Sequence, residues 1–100
     1  MAFEVSYRND TLERLERDAG YTAGYEQAVV RAFRKRMWSI RNAADERDLR
    51  ELKSSHFEKL VGDREGQYSM RLNDQWRLIL EIKGKAPNKR IEIVAIVDYH

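Results

Sequence analysis

Gln67-Tyr68-Ser69-Met70-Arg71-Leu72, Asn73-Asp74-Gln75 and Trp76-Arg77-Leu78-Ile79-Leu80-Glu81-Ile82-Lys83 are three consecutive pieces whose reading decides the fold. The outer two are rich in branched and aromatic residues, and the middle one is turn material, so together they predict an antiparallel hairpin. Loop length sets its register, because a slip of one residue sends every side chain to the other face. A two-residue loop, Asn73-Asp74, would place Arg71 opposite Trp76 and Met70 opposite Arg77, mixing charge and apolar surface on both faces. A three-residue loop, Asn73-Asp74-Gln75, sets Leu72 against Trp76, Met70 against Leu78 and Tyr68 against Leu80, which separates the faces cleanly. In that register Arg71 faces Arg77 on the side away from the core. Like charges directly opposite destabilise a sheet, so something must compensate. An anion is one answer, since two guanidiniums offer forked donors suited to a phosphodiester. Glu81, on the same face, is the other.

Arg90 to Val97 follows a turn at Gly84 to Asn88 and completes three successive strands that pair as antiparallel neighbours. Val94 and Ile96 alternate with Ile93, Ala95 and Val97, so this strand is apolar on both faces and belongs inside the sheet. It delivers Asp98, Tyr99 and His100. Terminal histidines are often tail residues, but this one follows the strand closely, and an imidazole suits proton transfer near neutral pH. His56, in a charged connection, has no such setting.

Toward the N-terminus, Phe3, Val5 and Tyr7 alternate with Glu4, Ser6 and Arg8, which predicts a further strand. Asn9-Asp10-Thr11 supplies capping oxygens for a short helix that carries Leu12 and Leu15 and ends near Gly20. From Tyr25, apolar residues recur every three or four positions through Ala28, Val29, Ala32, Phe33, Met37 and Ile40, marking one face of a long helix. Its other face carries Arg31, Arg34, Lys35 and Arg41. This reads as an ordinary solvated face, with ribosome or RNA backbone contact as the alternative. Asp45 to Leu52 is charged throughout and is compatible with a helical turn or an irregular connection. The order of strand, two helices and three strands describes an α+β domain over residues 1–100, with its helices on one sheet face.

At 100 residues there is material for one core. The composition, 42% hydrophobic and 36% charged with net charge +2, excludes disorder and falls short of a dense basic coat. Without cysteine, and with two histidines far apart, neither a disulfide framework nor a zinc site is expected, and no metal or other cofactor. There is no leader-like or membrane-spanning apolar run, so the expected location is the cytoplasm.

Phe57-Glu58-Lys59-Leu60, the run Gly62-Asp63-Arg64-Glu65-Gly66-Gln67-Tyr68-Ser69, then Arg71-Leu72-Asn73-Asp74-Gln75-Trp76-Arg77 and the closing Val97-Asp98-Tyr99-His100 resemble HigB-type toxins. These form the plasmid-maintenance killer branch of the RelE/ParE superfamily. The resemblance implies a RelE-like fold and the toxin of a type II toxin-antitoxin pair, a ribosome-dependent endoribonuclease that cuts messenger RNA without a metal. The partners it implies are a HigA-like helix-turn-helix antitoxin, the ribosome and mRNA, with no membrane. It assigns Arg71 and Arg77 to the phosphate, His100 to proton transfer and Tyr99 to orienting or stacking on a base. Arg64, Lys53 and Asn73 are the expected RNA contacts. Many relatives carry lysine just before the glycine of the Gly-Asp-Arg run, where this chain has Val61. Lys59, two residues away and on the same side of an extended segment, is the candidate for that cation. Two other functions fit the fold: a ParE-like poison of DNA gyrase, and a non-catalytic RNA-binding regulator. The arginine pair and His100 favour cleavage.

Overall fold

The computed structural model describes residues 3–52, 55–62, 66–84 and 88–98. Its elements are β1 (Glu4–Tyr7), α1 (Asp10–Arg17), α2 (Gln27–Asn42), α3 (Glu46–Arg50), β2 (Glu58–Lys59), β3 (Gln67–Arg71), β4 (Trp76–Lys83) and β5 (Arg90–Asp98). They form a five-stranded sheet in the order β1-β5-β4-β3-β2, antiparallel except for the parallel pair β1 and β5. The expected α+β class is observed, and the undecided Asp45 to Leu52 region contains the short helix α3. The two-residue strand β2 was not anticipated.

Local chemistry explains the boundaries. The side chain of Asn9 caps α1 by accepting a hydrogen bond from the backbone of Leu12 at 3.0 Å, and Asp45 caps α3 by accepting from Arg47 at 2.9 Å. Helix α1 stops at Arg17, short of the expected Gly20. Between β4 and β5 the chain turns through Gly84 at φ +83°, where an added Cβ would lie 2.8 Å from the carbonyl oxygen of Asn88, so only glycine fits.

Helix α2 lays Phe33, Met37 and Ile40, all fully buried, against Met70, Leu78, Leu80 and Ile93 of the sheet. Each such side chain contributes roughly 1.5–3 kcal/mol by leaving water. A bulge in β5 keeps that strand's apolar residues in step. Ile79 faces Ala95 and Leu80 faces Ile93, so Val94 is the extra residue, and Ile93 and Ile96, three apart, both reach the helix-side core. On the opposite face Val94 joins Leu60 and Ile79 in a second small buried cluster.

The outward face of α2 is not uniformly solvated. The Arg34 guanidinium donates to the carbonyls of Leu15, Asp18 and Tyr21 at 3.0, 2.8 and 3.2 Å, securing the C-terminal end of α1. Arg41 bonds Glu16 at 2.6 and 2.9 Å and the Tyr7 hydroxyl at 2.6 Å, while that hydroxyl also donates to Glu16. Two of the four cations therefore tie α2 to α1 and β1.

Candidate active site

The β3–β4 hairpin adopts the three-residue loop. Tyr68 pairs with Leu80, Met70 with Leu78 and Arg71 with Arg77, and the Leu72 amide donates to the Trp76 carbonyl at 2.9 Å. The Asn73 side-chain oxygen accepts from the amides of Gln75 and Trp76, both at 2.8 Å, so Asn73 organises the turn.

The two arginines stand side by side on the face away from the helices, and each is held differently. Arg77 is only 8% exposed; its Nε donates to the Ser69 hydroxyl at 3.0 Å and its Nη2 to the His56 carbonyl at 2.6 Å. His56 has φ +45°, a left-handed conformation that costs a non-glycine residue roughly 1–3 kcal/mol and that accompanies the turn of its carbonyl toward Arg77. Arg71 is half-buried. Its guanidinium pairs with the Asp74 carboxylate and donates to the Asn73 carbonyl at 3.3 Å. From the helix side, the buried Arg36 of α2 donates to the Arg71 carbonyl at 2.9 Å, and burial lowers the pKa of Arg36.

Glu81 does not serve the pair. It receives Arg8 at 2.9 Å, Gln67 at 2.8 Å and Lys83 at 3.6 Å. Arg8 also bonds Glu92 at 3.2 Å, and Lys83 bonds it at 2.8 Å; these two cations hold the Glu92 carboxyl down at about 2. Glu81 is likewise lowered, chiefly by the hydrogen bond from Gln67 and then by Arg8.

The short strand β2 changes the site. Glu58 pairs with Ser69 and Lys59 with Tyr68, and the Leu60 amide donates to the Gln67 carbonyl at 2.9 Å. Paired residues share a face, so Glu58 lies on the side of Ser69 and Arg77, while Lys59 lies on the helix side with Tyr68 and Met70. This register sets Lys59, the candidate for a further cation, on the sheet face opposite the arginines. Glu58, an exposed carboxylate, takes its place on that face and was missed. Its signal was Leu60: an apolar residue destined for the second cluster fixes the parity of its neighbours, but only once β2 is known to pair with β3.

Asp98, opposite Trp76 at the end of β5, accepts from the Gln75 amide at 3.0 Å. Val97 lies opposite Arg77, so β5 runs past the pair. Tyr99 and His100, and the expected RNA contacts Lys53 and Arg64, lie outside the described residues. Among the described residues no cluster of three or more metal-ligating side chains occurs.

Comparison with solved structures defines the class. The YoeB/ParE toxin from Agrobacterium tumefaciens is 15% identical with a TM-score of 0.58, over 98% of this chain and 100% of that one. The YoeB-YefM complex from Staphylococcus aureus shows 22% identity and a TM-score of 0.60, over 100% and 99% of the two chains. The S. aureus YoeB dimer shows 23% identity and a TM-score of 0.60, again over 100% and 99%. At these identities the likeness shows the fold, that of the small YoeB/ParE toxins. No protein with a curated description matches by sequence. The family model for the RelE-like toxin of type II toxin-antitoxin system HigB matches residues 5–100, and the chain belongs to that family of HigB-like toxins. These toxins are ribonucleases, known as ribosome-dependent cutters of messenger RNA. Among the described residues no helix is long and apolar enough to cross a membrane.

Proposed function

We propose that this chain cuts ribosome-bound mRNA by metal-independent transesterification. The ribose 2′-oxygen attacks the adjacent phosphorus and gives its proton to a base. The bond to the 5′-oxygen breaks and that oxygen takes a proton from an acid, leaving a 2′,3′-cyclic phosphate and a 5′-hydroxyl. The observation that carries this reading is Arg71 directly opposite Arg77 on the face away from the helices. Two cations there stabilise charge that grows on the phosphoryl oxygens in the transition state. The hydrogen bonds from Arg77 to Ser69 and His56 hold its guanidinium in advance of binding, so it needs no reorganisation.

Glu58 is the base in this proposal, because it shares a face with Arg77 and a carboxylate is competent to accept the 2′ proton. His100 is the acid and Tyr99 stacks on or orients a base, both as the family resemblance assigns them. Lys53 and Arg64 contact the RNA backbone. Lys59 and Asn73 have no part in the chemistry, the first facing the helices and the second serving the turn. The partner that silences the chain is a HigA-like helix-turn-helix antitoxin, and the YoeB-YefM complex is a precedent for antitoxin binding on this fold. The setting is the cytoplasm, where ribosomes and antitoxin are found.

The test is end mapping of messages cut on purified ribosomes. Cyclic phosphate and 5′-hydroxyl ends are expected, whereas 3′-hydroxyl and 5′-phosphate ends would mean water or a metal-bound hydroxide as nucleophile. Intact messages together with inhibited gyrase supercoiling would replace this reading with a gyrase poison.

A further inference from the structure

Helix α2 contains five cations and no carboxylate over residues 27–42. Three of the five serve the fold: Arg34 binds the end of α1, Arg36 the Arg71 carbonyl, and Arg41 Glu16 with Tyr7. The other two, Arg31 and Lys35, are exposed, and no carboxylate among the described residues pairs with either. They stand four residues apart on the outer line of the helix, where like charges repel. Three residues further along the same line is Trp38, 68% exposed. Two unfavourable features thus share one stripe, a pair of cations and an indole left in water, and among the described residues no carboxylate pairs with either cation.

We infer that the stripe of Arg31, Lys35 and Trp38 is a second RNA-docking surface, gripping the phosphate backbone and one unstacked base of an RNA other than the strand being cut. The composition selects RNA over protein. Among the described residues Val61 is the sole other exposed large hydrophobic, and it follows β2 rather than lying on α2, so Trp38 has no apolar companions on its helix to form the centre of a protein interface, and lysine is depleted in such centres. Cations flanking an accessible aromatic ring are the means by which proteins hold unpaired nucleic acid: charge follows the backbone and the ring stacks on a base.

Position separates this surface from the cleavage site. The opposite side of α2 buries Phe33, Met37 and Ile40 against the sheet face that carries Met70 and Leu78, while Arg71 and Arg77 lie on the other face. One strand of RNA held between the arginines does not reach Trp38 across the helix layer. For an enzyme acting on ribosome-bound message, structured ribosomal RNA is the source at hand; only this choice of source rests on the function proposed above.

The experiment compares the full chain with Arg31→Gln/Lys35→Gln and with Trp38→Ala. Binding to ribosomes and to protein-free ribosomal RNA is measured across a salt series, alongside single-turnover cleavage, antitoxin affinity and thermal melts. Loss of two phosphate contacts should flatten the slope of log affinity against log salt by about 1.4–1.8. Trp38→Ala should weaken binding about 5- to 150-fold, the range of a lost base–aromatic stack. KM on ribosomes should rise while the saturating cleavage rate and the melts stay put. Unchanged RNA affinity and slope in the double variant would overturn the inference. So would a loss confined to antitoxin affinity, which would assign the stripe to an acidic protein segment. Should the unaltered chain bind RNA with this salt dependence yet cut nothing, the cleavage reading falls and the docking surface stands.

Discussion

Strand β4 bears charge at both ends of the face turned away from the helices, and the two ends treat it in opposite ways. At the Lys83 end, Lys83 and Arg8 meet Glu81 and Glu92, so two cations and two carboxylates neutralise one another. At the Arg77 end, two guanidiniums lie opposite each other, and among the described residues their hydrogen bonds reach the Ser69 hydroxyl and the His56 and Asn73 carbonyls, with the Asp74 carboxylate paired to Arg71. Charge balanced by charge is structural and leaves little field for a ligand. Cations fixed by neutral oxygens keep their charge and lose only their freedom of movement, which suits an arriving phosphate.

The largest test of this contrast is the proton-transfer pair. Deleting His100, or replacing Glu58→Gln, should lower single-turnover cleavage by ~10² to 10⁴, with melting temperature nearly unchanged, since Glu58 is exposed and neither change removes an apolar side chain. A fully active Glu58→Gln enzyme would remove the carboxylate from the mechanism. Next in size is Arg77→Ala, expected to lose ~10² to 10³ in rate. Because Arg77 is buried and bonded to Ser69 and His56, about 1–3 kcal/mol of stability should go with it. Retained rate in a destabilised protein would make Arg77 a brace and dissolve the distinction between the two ends.

Glu92→Gln probes the other end and should leave cleavage alone while costing about 1 kcal/mol of stability at neutral pH. The sign follows from the depressed pKa. The stabilisation is complete above the ordinary glutamate value of 4.5 and drains away as pH falls toward about 2, so the melting curves of variant and parent should converge in acid. A gap that persists to pH 2 would mean that packing, not charge, is lost. The smallest effect belongs to His56→Gly. Only the carbonyl of this residue serves Arg77 in the hydrogen bonding described, and glycine adopts φ +45° freely, so cleavage should change by less than about threefold and the melt should hold or rise. A large loss of activity would give the imidazole a role that the geometry does not.

How much of this the sequence shows depends on the distance over which each feature is decided. The hairpin register was legible because the alternation of Tyr68, Met70 and Leu72 against Leu78 and Leu80 is local, and one loop length satisfies it. The interior position of β5 was legible from residues apolar on both faces. Its bulge was not, since the shift at Val94 follows from pairing with β4 and leaves no mark in β5 alone. Arg34 and Arg41 looked solvated because their acceptors, Leu15, Asp18, Tyr21 and Glu16, sit on a neighbouring helix that a helical wheel does not contain. Glu58 and Lys59 were exchanged for a related reason: a two-residue strand has no periodicity of its own and inherits its parity from β3. The choice between an anion and Glu81 as the answer to the arginine pair stayed open in the sequence because Arg8, which engages Glu81, comes from the far end of the chain.

The parallel pairing of β1 with β5 bears on the order in which the molecule is assembled. Glu4 meets Arg90 and Tyr7 meets Ile93, whereas β3 and β4 meet across three residues. Closing the longer loop costs about 3 kcal/mol more in chain entropy, so the hairpin can form early and the edge strand docks late. Arg8 arrives with β1, and the charge network at the Lys83 end stays incomplete until it does. What closes last opens first. As pH falls toward about 2 and the carboxylate of Glu92 takes up its proton, amide hydrogens of residues 5–7 should lose protection before those of the β3–β4 hairpin.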